Sequence, residues 1–598
     1  MGSLLIFQCR QTPALTLSAM DVTPSNRQNV PDPQAHAAAA LLVDAFADYN
    51  ARFADITRRA RRRFERRDWR SAGVDARARI DLYDICIRET QGRLDLLLDD
   101  RLRSRPLWIA MRHDYEQLVA TLADRELYKT WFSSLSWRQF HTPGVAPEIE
   151  FVALDREPYT EGSDAAPHRH YATDNDLSQV CEQLLMDTGF TYADPASCAA
   201  RLTDALRARL DETGLPVIES IDVLQAVFYR ERRAYLVGRL RGGHRRHPLV
   251  IALVHGDDGV RVDALLVTRE QVSILFGYAR SYFHADIDNV GAVVAFVRAL
   301  LPHKPLEELY SVLGRAKQGK TERYRRVFAH LAIHPQEQLV HAEGKRGMVM
   351  VVFTPRDLPV VFKLIRDRFA WPKDTVRRQV EEKYRLVFRH DRVGRLVDAQ
   401  EFRYLRFSLR QFDPNLLKDL LAECADTVTV DGDELVIAHC YVEHRLRPMD
   451  LYVREVDQAK AFHAMRDYGQ AIKDLAGSNI FPGDLLLKNF GISRNGRAVF
   501  YDYDELCLLG DCRFRALPAL HEDDETRPLQ DAVYAAPEDV FPELFVNFLG
   551  VSAPLRQALC EAHPEIFDPA WWRGVQARLR AGEYVDVPAY PDAARLPL

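Results

Sequence analysis

Residues 481–492 read FPGDLLLKNFGI, and AVFYDYDEL follows at 498–506. Asp484 and Asn489 stand five apart in a largely apolar run, and Asp502 closes the strand-like AVFYD. Polar groups set among so many apolar neighbours cost free energy unless they are paired or put to use. Asn495-Gly496 between the two stretches predicts a hairpin with a type I′ turn, so Asp502 follows Asn489 by 13 residues across a hairpin.

Working upstream, QLVHAEGKRGMVMVVFTPRDLPVVFKLIRD (338–367) reads as strand, glycine-containing loop, strand, turn, strand. Gly344 and Gly347 can let backbone amides approach a phosphate, and Lys363 ends an apolar strand where an ammonium needs an anionic partner. An amphipathic helix follows in DTVRRQVEEKYRLVFRHD (374–391), with Glu382 19 residues beyond Lys363 and Glu381 beside it, either of which could be the helix acid that holds the lysine. Loop, lysine, helix acid, D-x-x-x-x-N and a hairpin-linked aspartate occur in the order that protein-kinase phosphoryl transfer requires. FPGD in place of H-R-D and DYD in place of D-F-G set the pattern apart from ordinary kinases. ELVIAHCYVE (434–443) reads as one further strand and QAKAFHAMRDYGQAIKDLAGS (458–478) as a helix.

The whole chain, 598 residues with 47% apolar and 28% charged residues, is too long for one core and ordinary for a globular protein. A net charge of −6 argues against a general nucleic-acid binder. The nine cysteines are scattered without a C-x-x-C pair, which argues against a zinc ribbon or disulfide framework and for a reducing, cytoplasmic setting. No apolar run is long enough to span a membrane. We expect an α+β chain with a loose segment at 1–34, a regulatory domain at 35–335 built as a helical bundle with an inserted antiparallel sheet, and a bilobal protein-kinase-like domain at 336–598, its lobes meeting near 443/444. The expected strands of the inserted sheet are EIEFVAL, LQAVFYRE, RAYLVGRL, HPLVIALVH and GVRVDALLV, between 148 and 267.

Three other features have plainer readings. GRAKQGKT (314–321) matches the Walker A pattern, but PLEELYSVL before it has helical periodicity, so a charged turn between helices is the better reading than a phosphate loop using Lys320. RRARRRFERRDWR (58–70) reads as a solvated helix face suited to a protein interface. His168, Arg169 and His170 read as surface loop because no further ligands stand at metal spacing.

The strings NIFPGDLLLKNFGISRNGRAVFYDYDEL, GMVMVVFTPRDLPVVFKLIRD, HDRVGRLVDAQEF and QGKTERYRR together resemble the bacterial isocitrate dehydrogenase kinase/phosphatase family, and the resemblance runs over nearly the whole chain. It implies a bifunctional enzyme that phosphorylates and dephosphorylates a serine of NADP-dependent isocitrate dehydrogenase, controlling flux between the citric acid cycle and the glyoxylate bypass. It further implies ATP and ADP, Mg²⁺ or Mn²⁺, AMP as allosteric effector, and a cytoplasmic homodimer with no nucleic-acid or membrane partner. Carried over by position, the ATP loop is Ala342, Glu343, Gly344, Lys345, Arg346, Gly347 and Met348, with Lys363 as the nucleotide lysine. Asp484 is then the catalytic aspartate, Asn489 and Asp502 are metal ligands with Asp504 a further acid by the metal, and Asp398 serves the phosphatase reaction. The competing reading is an ATP-binding, pseudokinase-like module without turnover.

Overall fold

The computed structural model describes residues 32–152, 164–173, 176–215, 217–277, 283–371, 373, 375–390, 392–517 and 535–597. The expected loose segment therefore lies outside the described residues up to residue 31.

Asp32 starts the first helix, Pro33–Arg66, by accepting from the amides of Gln34 and Ala35, with Pro33 at the first turn where a missing N–H costs nothing. Its apolar residues at spacings of three and four put Ala38, Leu42, Ala45, Phe46, Tyr49 and Phe53 inside. They pack on Ala72–Leu98, Arg105–Val119 and Arg125–Phe140, so the expected bundle forms.

Against the bundle lies a seven-stranded antiparallel sheet. HPLVIALVH, as part of Arg245–His255, is continuously apolar because both sheet faces are covered: Val250 and Ala252 enter the core shared with the bundle, and Leu249, Ile251 and Leu253 a second core. That second core is closed by helices Leu177–Met186 and Pro195–Ala208. The strand Ser220–Leu224 was not among those expected, whereas residues 148–152 of EIEFVAL are turn and irregular chain, with 153–154 outside the described residues. His168–Ala172 is a strand rather than a loop, and His170 Nδ1 is 2.7 Å from Asp222.

Of GRAKQGKT, expected as a turn between helices, only Gly314 and Arg315 lie between helices Leu306–Val312 and Ala316–Ile333, and residues 316–321 are the start of the second helix. Gly319 lets the two helices touch, since a Cβ there would lie 2.6 Å from the Glu307 carbonyl oxygen.

Beyond it, a five-stranded antiparallel sheet has the order Gln400–Phe402, Cys440–His444, Val360–Ile365, Met350–Pro355, Leu339–His341. The run ELVIAHCYVE is not one strand. Glu434–Ile437 belongs to a separate three-stranded sheet with Leu405–Ser408 and Val428–Asp431, and the chain crosses to the five-stranded sheet at residues 438–439. Helix Arg377–His390 buries Val380, Tyr384 and Val387 against Ile365 and Tyr441.

The helix Gln458–Gly477 anchors the second lobe, with helices Ala553–Ala562 and Pro569–Arg580 around it. In the hairpin Phe490–Ile492/Ala498–Phe500 the positive φ falls on Gly496, at 74°, and not on Asn495. The loop thus has three residues, with glycine in the left-handed place, rather than the expected type I′ turn. The end of the chain returns to the first half: Tyr590 and Ala594 enter the bundle core, Leu596 the second, and Arg233 binds Asp586 through Nη1 at 2.5 Å.

Candidate active site

A cavity of about 1070 Å³ opens between the five-stranded sheet and the second lobe. Its wall brings together residues 342–348, Lys363, Asp484, Asn489, Asp502 and Asp504, twelve positions expected from sequence.

Lys363 points inward because strand Val360–Ile365 is buried throughout. Its Nζ lies 2.7 Å from Glu443 Oε2 and donates to the Tyr501 carbonyl oxygen at 2.7 Å. Glu443 sits on the adjacent strand, paired in register with Val361, and only 1% of it is exposed. Burial pushes its carboxyl up while Lys363 works the other way, and its Oε1 has no hydrogen-bond partner among the described residues.

This corrects the expectation that Glu381 or Glu382 holds the lysine. The helix turns Val380, Tyr384 and Val387 inward, leaving Glu381 to pair with Arg385 at 3.3 Å and Glu382 with Arg378 at 3.0 Å on its outer face. The inner place is filled by Tyr384, stacked on Tyr441 with ring centroids 3.7 Å apart.

FPGD is shaped by its glycine. Gly483 has φ 80°, and a Cβ on it would sit 2.4 Å from the Glu505 carbonyl oxygen, so only glycine fits without strain. Asp484 Oδ1 then accepts from the Leu486 amide at 3.1 Å, and Asn489 Nδ2 donates to the Asp484 carbonyl oxygen at 3.2 Å. The leucines hold the loop down: Leu485 and Leu487 are buried, and Tyr468 donates its hydroxyl to the Leu485 carbonyl oxygen. Tyr501 N donates to the Asn489 carbonyl oxygen at 3.1 Å, tying the D-x-x-x-x-N loop to the strand that carries Asp502.

Asp502 is half-buried in the cavity wall, and burial first, then the neighbouring Asp504, push its carboxyl up to about 7, against the pull of Lys363. Two carboxylates and an amide oxygen make a hard, oxygen-only set that suits Mg²⁺ or Mn²⁺, and the crowding of Asp502 by Asp504 is what a divalent cation relieves. Among the described residues no group of three His, Cys, Asp or Glu could hold a metal ion. Lys373, from the loop after Lys363, reaches Asp504 Oδ2 at 3.0 Å and also pairs with Glu505.

Asp398 does not line the cavity. It is buried, and Gln400 Nε2 donates to its Oδ2 at 3.2 Å while Arg323 Nη2 lies 3.9 Å away. Arg323 comes from helix Ala316–Ile333 and donates to the Val442 carbonyl oxygen at 2.9 Å.

Comparison with known proteins decides the family. Models described as isocitrate dehydrogenase kinase/phosphatase (AceK) regulatory domain and kinase domain match residues 39–336 and 337–592. The chain belongs to the isocitrate dehydrogenase kinase/phosphatase family. A protein named isocitrate dehydrogenase kinase/phosphatase from Xanthomonas campestris pv. campestris (strain 8004) is 51% identical over 581 residues, covering 96% of this chain and all of the relative. One of the same name from Xanthomonas euvesicatoria pv. vesicatoria (strain 85-10) is 50% identical, covering 94% and 98%. One from Anaeromyxobacter sp. (strain Fw109-5) is 44% identical, covering 95% and 99%.

A kinase domain implies ATP and a divalent metal ion. Membership of this kinase/phosphatase family gives the FPGD and DYD strings their setting, a transfer site built on kinase parts with its own lysine partner. Sequence reasoning missed Glu443, whose signal was a glutamate inside the otherwise apolar CYVEH, and Lys373, which carried none.

Proposed function

We propose that the chain is a bifunctional enzyme which phosphorylates a serine of NADP-dependent isocitrate dehydrogenase and removes the phosphate again, setting flux between the citric acid cycle and the glyoxylate bypass. One observation carries the kinase half: the glycine loop, the Lys363–Glu443 pair, Asp484, Asn489 and the Asp502–Asp504 pair all face a single cavity or support its wall. The names of the relatives support the substrate and the second activity.

In the transfer direction Lys363, fixed by Glu443 and the Tyr501 carbonyl oxygen, sits where an ammonium can hold nucleotide phosphates. Residues 342–348 line the same cavity, and their backbone amides can approach those phosphates. Asp484, turned by the Leu486 amide, orients the serine hydroxyl and accepts its proton. Asn489 and Asp502, with Asp504 beside them, would hold a divalent ion, which would supply neutralisation of the phosphate charge. For the removal of phosphate we assign Asp398 the distinctive role, acting through the buried charges around Glu443, to whose raised carboxyl it contributes.

The further readings are that residues 35–335 form the regulatory domain and 336–598 the catalytic one, that AMP is the effector favouring phosphatase action, that ADP is bound as product, and that the enzyme is a cytoplasmic homodimer. The family matches that meet at 336/337 support the division. No helix among the described residues is long and apolar enough to cross a membrane.

The test is incubation of the protein with ATP, Mg²⁺ and NADP-dependent isocitrate dehydrogenase, followed by AMP, with phosphate on the dehydrogenase measured throughout. Phosphate should appear and then be removed. ATP binding without any transfer would instead establish the pseudokinase-like module. Asp398→Ala should lose the removal step and retain transfer, and equal loss of both would end the division of labour.

A further inference from the structure

Cys507 and Cys512 lie on the segment that runs directly on from Asp502 and Asp504. Both are free thiols, and their Sγ atoms are 3.5 Å apart. A short 3₁₀ turn, Leu509–Asp511, folds the chain back between them, and Cys512 N donates to the Leu509 carbonyl oxygen at 3.2 Å. Gln576 Nε2 fixes that turn by donating to the carbonyl oxygens of Leu509 and Cys512 at 2.7 and 2.8 Å. A disulfide bond is about 2.05 Å long, so closure asks each sulfur to move by less than about 1 Å.

The two thiols are unequal. Cys507 is partly exposed and Cys512 only 9% exposed. The hydrogen bond with Cys512, helped by the nearby Lys383 ammonium, holds the Cys507 thiol below its ordinary value, and the same contact, with burial, pushes Cys512 well up. Cys86, Cys181 and Cys424, by contrast, are buried singly and shifted up by burial to about 11, 11 and 12.

We propose that Cys507 and Cys512 form a peroxide-sensitive modification site, a dithiol that closes into an intramolecular disulfide and thereby slows phosphoryl transfer. The Cys507 thiolate attacks one oxygen of a hydroperoxide, the O–O bond breaks, and the departing hydroxide or alkoxide takes up a proton, leaving a sulfenic acid. The Cys512 sulfur gives up its proton and attacks that sulfur, the S–O bond breaks, and water leaves. Two thiols lose two electrons, and the peroxide gains them.

The disulfide reaches the reacting groups through the backbone. Cys507 is paired in register with Phe481, two residues before Gly483, and Glu505, two residues before Cys507, touches Gly483 and pairs with Lys373. Drawing Cys507 towards Cys512 displaces the segments on which both Asp484 and Asp504 stand. A misplacement of about 1 Å at a transfer site costs up to about 10²-fold in rate.

The test uses the full chain, treated with hydrogen peroxide, alkylated without reduction and cut with trypsin. Residues 498–513 emerge as one peptide that holds both cysteines. We expect it lighter by two hydrogen masses and unalkylated, restored by dithiothreitol, with transfer to the dehydrogenase about tenfold slower in between. Cys512→Ser should form no internal disulfide and keep its basal transfer rate, without the dithiothreitol-reversible slowing. A peptide alkylated at both cysteines after peroxide, or a disulfide that leaves the rate unchanged, overturns the proposal. The rate arm rests on the kinase reading and the mass arm does not: a disulfide in a protein that transfers no phosphate when reduced upholds the modification site and overturns that reading.

Discussion

Glu443 supplies the charge against which Lys363 is set, and it does so from a sheet strand rather than from the helix. Glu443→Gln keeps the shape and removes the charge, leaving Lys363 with the Tyr501 carbonyl oxygen alone among these two contacts. A hydrogen bond to a charged group contributes about 1.5–3 kcal/mol, so initial transfer rates should fall roughly ten- to hundredfold. The double variant Glu381→Gln with Glu382→Gln loses only exposed pairs, which contribute about 0–1 kcal/mol, and should stay within about twofold of the parent. Equal losses in the two proteins would return the lysine to the helix. Glu150 offers a separate test in the first half, where burial pushes its carboxyl up to about 7 from 4.5. A folded value above the unfolded one means that the stability from holding the proton is complete below about pH 4.5 and lost as pH rises through about 7. The loss is at most roughly 3 kcal/mol. Glu150→Gln should therefore melt with the parent at pH 4 and above it at pH 8, as read by thermal denaturation at both values.

At the scale of elements, the segment FPGD and the strand-and-turn after DYD are one unit, because Ile480–Phe481 pairs with Cys507–Leu508 and Gly483 lies against Glu505. Gly483→Ala brings both a left-handed φ and a 2.4 Å contact with backbone, which cannot step aside as a side chain could. The expected outcome is a loss of about 1–3 kcal/mol in denaturant titration and a kcat reduced more than tenfold. Nucleotide affinity should be nearly unchanged, since Lys363 and residues 342–348 are not moved. A matched fall in affinity would show that the loop supports the whole cavity. The spacing of Asp484, Asn489 and Asp502 made this unit legible, because a hairpin and a D-x-x-x-x-N loop are both local in sequence. Lys363 was legible as a charge in an apolar strand. Its partner was not, because Glu381 and Glu443 are both glutamates near apolar neighbours, and only helix phase and strand register decide which faces inward. The break in ELVIAHCYVE escaped notice for a related reason: Leu435, Ile437, Cys440 and Val442 all enter one core, so the apolar pattern runs on while the chain changes sheets. The turn at Gly496 shows the limit of a dipeptide signal, since Asn-Gly fits both a two-residue and a three-residue hairpin loop.

Across the whole molecule, the halves meet through buried charge. Arg323, 2% exposed, stands on a helix of the first half and binds Val442 O at 2.9 Å, with Asp398 and Glu307 each at 3.9 Å. Arg326 adds a second cation 2.6 Å from Glu307, and His444 lies 3.2 Å from Glu308, itself held by Lys304 at 3.0 Å. The strand so clamped, Cys440–His444, is the one that carries Glu443. Arg323→Met preserves much of the volume and removes the buried cation 3.9 Å from both Asp398 and Glu307, while Glu443 keeps Lys363; removing one partner of a buried pair costs about 3–5 kcal/mol. Because the arginine and its partners Asp398 and Val442 lie in different halves, the loss falls on their coupling. Scanning calorimetry should show the unfolding of the kinase-like half moving to lower temperature and separating from that of the first half. Transfer should slow at the same time, since Glu443 loses a charge that opposes its protonation. Arg323→Lys restores the charge without the planar fork that reaches both Val442 and Asp398, and should recover the rate in part and the joint transition less. A protein with Met at this position that melted in one transition at the parent temperature, with the parent rate, would mean that the two halves are held together elsewhere, and the C-terminal return of Tyr590, Ala594 and Leu596 into the first-half cores would then carry the coupling.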